Sequence, residues 1–175
     1  MLFKYVWRHI AIIDHQREIP MSTHTRRPLS ILHRIAGVMA LLLIATFWIS
    51  TVIVELRGHI AEIVMVKTAV AYGLLVLIPC LITTGASGFR LSGGKKAGLV
   101  GVKLRRMKII AANGVLFLMP CAISLALMAQ QGRFDAVFAI IQGIELLAGA
   151  INIYLIGRNI RDGIRLVRPA GILSN

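Results

Sequence analysis

The chain is 175 residues long, 57% hydrophobic and 15% charged, with a mean hydropathy of +0.79; a soluble domain carries about a quarter charged residues, so an ordinary soluble fold is excluded. The formal net charge of +13 is concentrated at the flanks of apolar runs, which points to membrane topology and anionic lipid headgroups and away from nucleic acid. The 2 cysteines lie inside apolar runs and give neither a disulfide framework nor a metal-ligand spacing.

Residues 1–34 read as a cytoplasmic N-terminal segment. The opening MLFKYVWRHIAIIDHQREIP lacks the clean apolar core and small-residue cleavage site of a signal peptide. It reads either as a short interfacial helix, with Phe3, Val6, Trp7 and Ile10 at helical spacing, or as sequence upstream of an ordinary start at Met21. Pro28 is expected to keep the first span from extending far upstream.

A helix needs ~20 apolar residues to cross a bilayer. The segments 35–56, 63–85, 109–129 and 136–157 meet that length. They predict an all-α, antiparallel four-helix membrane bundle over 35–157, followed by a basic cytoplasmic tail over 158–175. Basic residues collect on one side. Residues 1–34 hold Lys4, Arg8, Arg17, Arg26, Arg27 and Arg34. The 86–108 connection holds Arg90, Lys95, Lys96, Lys103, Arg105, Arg106 and Lys108 with no acid, and the tail holds Arg158, Arg161, Arg165 and Arg168. The other two turns carry Arg57 and Arg133, balanced by Glu55, Glu62 and Asp135. The positive-inside rule therefore places both ends and the long connection in the cytoplasm, as in a multi-pass protein of a bacterial inner membrane. The connection GFRLSGGKKAGLVGVKLRRMK lacks a full phosphate-loop pattern and reads as a flexible basic turn touching lipid. Lys67, near the outer end of the second span, is expected to snorkel outward.

Spans 2 and 3 echo one another. GLLVLIPCLI (73–82) and GVLFLMPCAI (114–123) align Gly73, Pro79 and Cys80 with Gly114, Pro120 and Cys121. Two readings stay open: an inverted repeat of the kind transporters use, or two helices kinked independently at Pro79 and Pro120. The cysteines are expected to differ in depth by ~10 Å, too far to bond.

Span 4 carries the most specific chemistry. At seven-residue spacing Asp135, Gln142 and Gly149 form one column, and Glu145, Asn152 and Asn159 form its neighbour. This polar face must point into the bundle. Ala139 and Gly143 are expected to admit a neighbouring helix closely. Glu145 falls near mid-bilayer, where an unpaired charge costs at least a few kcal/mol. No basic residue is expected at its depth, only hydroxyls and amides at Thr46, Ser50, Tyr72, Asn113 and Ser124. Glu145 is therefore expected to be uncharged, a candidate with Gln142, Asn152 and Asn113 for handling a proton, a cation or a ligand headgroup. The tail GRNIRDGIRLVRP is expected to lie on the inner leaflet, with Ile160, Ile164 and Val167 toward lipid.

The stretch RPLSILHRIAG (27–37) opens span 1. Ser30, His33 and Arg34 stand at i, i+3 and i+4 and could together hold a quinone carbonyl at the membrane surface. This stretch resembles the cytochrome b membrane-anchor subunit of succinate dehydrogenase, whose motif S-x-x-H-R-x-[ST]-G is matched by Ser30, His33, Arg34 and Gly37. The resemblance implies a quinone pocket lined by Ser30 and Arg34 and a soluble redox partner. It covers about eleven residues. Ala36 replaces the family's Ser/Thr, Arg27-Pro28 stands directly before the motif, four spans replace three, and span 2 lacks the family's haem-ligating His. The five histidines do not face one another across a macrocycle, which argues against an internal haem b.

The sequence holds no Ser-His-Asp set, no metal cluster and no dinucleotide loop, which points away from catalysis by the chain itself. Three functions compete. The favoured one is a non-catalytic anchor or assembly bundle, working as a homo-oligomer or with a partner subunit. The alternatives are a quinone-site anchor of a respiratory complex and a small proton- or cation-linked transporter using Glu145.

Overall fold

The structure, a computed structural model, describes residues 23–93 and 98–167. Four long helices account for them: α1 Thr23–Arg57, α2 Ile60–Ser92, α3 Gly98–Gln130 and α4 Ala136–Val167. All four are long and apolar enough to cross a membrane, so the chain is a polytopic, all-α membrane protein. Residues 1–20, expected as an interfacial helix or an upstream extension, lie outside the described residues, as do Lys95 and Lys96.

The helices run past the apolar windows that locate them. α1 reaches back to Thr23 with Pro28 inside it. The proline removes one backbone bond near a helix end that projects beyond the apolar segment, where the loss is tolerated. Most of the expected basic turn over 86–108 is helical, because α2 continues to Ser92 and α3 begins at Gly98. α2 ends at Gly93, whose left-handed φ of 55° closes the last turn. α4 likewise continues through the expected surface segment to Val167. The two prolines of the sequence echo differ in effect. Pro79 lies inside α2 without a change of helix type, whereas Pro120 follows a π-helical turn over Gly114–Leu118. A proline cannot donate to the preceding turn, and widening that turn accommodates its ring.

Around the bundle, α1 packs on α2 and α4, and α3 packs on the same two helices. The α1/α3 and α2/α4 pairs are therefore the diagonals. Two apolar clusters fill the interior. One, toward the end of the bundle that holds Thr23 and Val167, joins Ala40, Ile44, Val70, Leu74, Leu77, Ile110, Ala122 and Ile156. The other, toward the short turns at Gly58 and Gly132, joins Val54, Ile63, Leu125, Met128, Ala129 and Phe138. Buried alanines on α1, α3 and α4 let the backbones approach closely. Gly73 does the same, since a Cβ there would meet the Phe47 ring at 2.3 Å. Outward faces are apolar on every helix, as at Leu75 (72% exposed) and Leu147 (66%), which is the surface a lipid solvent requires.

Candidate functional site

Between the two apolar clusters lies a charged layer. Lys67 sits one turn after buried Ile63 and one before buried Val70 on α2. Its side chain is fully buried, and its Nζ donates to Glu145 Oε2 at 2.6 Å. Gln142 Nε2 donates to the same oxygen at 3.4 Å. The expected outward snorkelling of Lys67 does not occur, and Glu145 has a cation after all. The physical reason is side-chain heading. In both α2 and α4 the Cα–Cβ bonds lean toward the helix N-terminus, which for both is the short-turn end. Lys67 lies ~10 Å and Glu145 ~14 Å along their helices at ~1.5 Å per residue. The glutamate leans back toward the lysine, and the long ammonium stem crosses the α2/α4 diagonal to meet it.

Glu145 also lines a cleft of about 50 Å³ with Trp48, Thr51 and Gly149 among apolar neighbours. That volume has room for a water molecule beside the carboxylate. Trp48 Nε1 donates to the Leu146 carbonyl at 2.8 Å. The indole fits because Gly149 has no side chain: a Cβ there would stand 2.8 Å from Trp48 Cδ1. Close approach to α4 thus occurs at Gly149 and not at Gly143, which has nothing within 4 Å, nor at exposed Ala139.

The polar seam of α4 continues away from the ion pair. Asn113 Nδ2 donates to Asn152 Oδ1 at 2.9 Å and to the Ala148 carbonyl at 2.8 Å. Asn152 Nδ2 answers toward the Ile110 carbonyl at 3.4 Å. This amide pair stands at the start of the π turn of α3, so the irregular backbone is tied to α4 at its entry. Further along, Asn159 Nδ2 reaches the Lys103 carbonyl at 3.4 Å, and Arg106 pairs with buried Asp162. From Gln142 to Asp162 the seam covers ~30 Å at ~1.5 Å per residue, about the thickness of the hydrocarbon layer.

Candidate residues of the sequence reading fall into two groups. Gln142, Glu145, Asn152 and Asn113 share the α4 seam, although the amide pair and the ion pair are separate clusters. Ser30, His33 and Arg34 do not converge. His33 turns onto α2, where its Nδ1 lies 3.1 Å from both the Thr84 carbonyl and Ser87 Oγ. Because a carbonyl only accepts, Nδ1 carries the hydrogen. Arg34 is exposed, and its Nε donates to the Ser30 carbonyl of its own helix. Adjacent helical residues diverge by ~100°, so His33 and Arg34 cannot both face inward. Cys80 and Cys121 are free thiols.

Sequence reasoning missed four residues of the polar system: Lys67, Glu55, Arg106 and Asp162. Asp162 had a signal, since the 145–152–159 column continues three residues on. Glu55 had none. Its Oε1 is buried without a hydrogen-bond partner among the described residues, as is Gln142 Oε1. At the short-turn end, Asp135 caps α4, with Phe138 N–H donating to its Oδ1 at 3.0 Å and Arg133 to its Oδ2 at 3.1 Å. These bonds, the Phe138 amide foremost, hold its carboxyl below the usual carboxylate range. The chain matches no family model, no curated protein and no solved structure.

Proposed function

We propose that the chain is a small proton-linked membrane carrier whose exchange site is the Lys67–Glu145 pair. The observation that carries this reading is a fully buried ammonium held 2.6 Å from a carboxylate across the bundle diagonal. A buried ion pair is a poor device for stability alone, because well-packed apolar side chains hold helices together as well or better. Ionisable groups inside a bilayer are expensive and characteristically mark proton or ion routes. The lysine selects between these. Its positive charge already occupies the carboxylate and repels a metal cation, whereas a proton can bind the carboxylate, release the ammonium from it and leave again.

The distribution of Arg and Lys supports an orientation with both ends cytoplasmic in a bacterial inner membrane. The ion pair then lies in the outer half of the bilayer, and the Asn113–Asn152 and Arg106–Asp162 groups continue the polar seam toward the cytoplasm. The same seam supports a second reading, the anchor or assembly bundle: Asn113, Asn152, Arg106 and Asp162 bond one another within the chain and so serve as helix glue.

Proton flux separates the two. Purified protein in liposomes with an imposed pH gradient and a lumenal pH dye is expected to dissipate the gradient faster than empty liposomes. Glu145→Gln, which keeps an acceptor for Lys67, is expected to abolish that flux while the protein still elutes as a folded species. Equal flux in wild type, variant and empty liposomes would leave the glue reading.

A further inference from the structure

We propose that Glu55 is the second carboxylate of this site, sharing one exchangeable proton with Glu145 while Lys67 neutralises whichever of the two is ionised. The inference rests on the proton-exchange reading above and extends it to a residue on a third helix.

The placement comes first. Glu55 lies on α1, which packs against both α2 and α4, next to buried Val54 and one turn beyond buried Thr51. α1 runs opposite to α2 and α4, so the Cβ of Glu55 leans away from the short-turn end and into the bundle, while Lys67 and Glu145 lean toward it. The three side chains head for the same level. Thr51, one turn before Glu55, lines the same cleft as Glu145, and one oxygen of Glu55 is buried with no hydrogen-bond partner among the described residues. A second acceptor, Gln142 Oε1, is in the same condition, on a side chain only 6% exposed. An ammonium has three N–H donors, and the Lys67 donation in the structure goes to Glu145.

Charge counting gives the occupant. One ammonium and two carboxylates sum to a net negative charge inside a low-dielectric layer, and that is costly. A single proton on either carboxylate brings the trio to neutrality. In the geometry seen, Lys67 sits on Glu145, so Glu55 takes the proton and its unpartnered oxygen becomes a donor. In the exchange step the O–H bond of Glu55 breaks and an O–H bond forms on Glu145. Glu55 becomes the carboxylate, and Lys67 moves to it as an ammonium throughout. No electrons are transferred, and the proton enters from water at the short-turn end. The other titratable groups nearby are the half-buried Cys121 thiol of α3 and the Arg57–Glu62 pair at the mouth, 3.4 Å apart and self-neutralised.

Two measurements on the full chain test this, proton flux in liposomes and the infrared carbonyl band of protonated carboxyls in bilayers at neutral pH. Wild type is expected to show the band, and both Glu55→Gln and Glu145→Gln to lose it, because Lys67 then neutralises the one carboxylate that remains. Flux in Glu55→Gln is expected to fall roughly a hundredfold, with Glu55→Asp restoring much of it. If Glu55→Gln retains wild-type flux and band while Glu145→Gln is inactive, Glu55 is no part of the site and the Lys67–Glu145 reading stands. If wild type shows no flux, that reading fails, and the band alone then decides whether Glu55 holds a buried proton. A misfolded Glu55→Gln is recognised by its elution profile, in which case Glu55→Asp, with a shifted band and reduced flux expected, carries the test. A band at the wild-type frequency in Glu55→Asp would overturn the proposal.

Discussion

Lys67 and Glu145 lie 78 residues apart in sequence and on helices that are diagonal in the bundle, yet their charged atoms meet at 2.6 Å. The pair is the only contact described between those two helices' charged groups, and it occupies the level between two apolar clusters.

Removing one partner leaves a buried charge uncompensated. Lys67→Met and Glu145→Leu are each expected to cost ~3–5 kcal/mol. The double variant is expected to recover most of that loss, because the apolar pair fills the same space, while remaining inactive in proton flux. Thermal unfolding in detergent of the two single variants and the double variant checks this. Additive losses in the double variant would mean that the two side chains do not interact.

Asn113 and Asn152 satisfy each other and two backbone carbonyls across the α3/α4 boundary. Replacing either by Ala strands the other, at ~1–3 kcal/mol. The double Ala variant is expected to cost clearly less than the sum of the singles. The same unfolding assay measures the coupling.

Gly149 faces the Trp48 indole. Gly149→Ala places a methyl group 2.8 Å from Trp48 Cδ1, so the ring must move and its bond to the Leu146 carbonyl weakens. The expected cost is ~1–3 kcal/mol, as for other overpacked sites. In a Trp7→Phe background, where Trp48 is the remaining tryptophan, its emission is expected to shift on substitution. Gly143→Ala, with nothing within 4 Å, is expected to leave both stability and emission unchanged.

The cap of α4 gives a pH dependence. The Asp135 carboxyl is held below its usual range by the Phe138 amide and Arg133, so the folded state binds its proton less readily than the unfolded state. The stabilisation is complete above the unfolded value of ~4 and is lost as pH falls through the lower folded value. Wild type is therefore expected to lose thermal stability below pH ~4, and Asp135→Asn to lose less over the same interval. Melting curves across that range decide it.

Much of the architecture is legible in the sequence. Long apolar runs fix four spans, and the 3–4 spacing of Gln142, Glu145, Asn152 and Asn159 fixes which face of α4 turns inward. The helix ends are less legible, because hydropathy registers lipid contact and not helicity, so α4 continues past the apolar window to Val167. The partner of Glu145 is hidden for a different reason. Spacing along a chain does not reveal which helices are neighbours and which are diagonal, and Cα depth misplaces long side chains that lean along the helix. Glu55, Arg106 and Asp162 look like topological flanks when counted by charge alone. The Ser30, His33 and Arg34 set is legible as a motif, but its residues spread over more than one face.

The separation of the Lys67 amine and the Glu145 carboxyl in a lipid bilayer tests the buried ion pair most directly. Magic-angle-spinning NMR on protein labelled at lysine ¹⁵Nζ and glutamate ¹³Cδ, with Lys67→Met and Glu145→Gln as assignment controls, reads that distance. A strong ¹⁵N–¹³C dipolar coupling is expected at neutral pH, matching the 2.6 Å contact, and is expected to disappear in either variant. A wild-type spectrum without this coupling, together with a Lys67 amine open to a water-soluble acylating reagent, would contradict the buried pair.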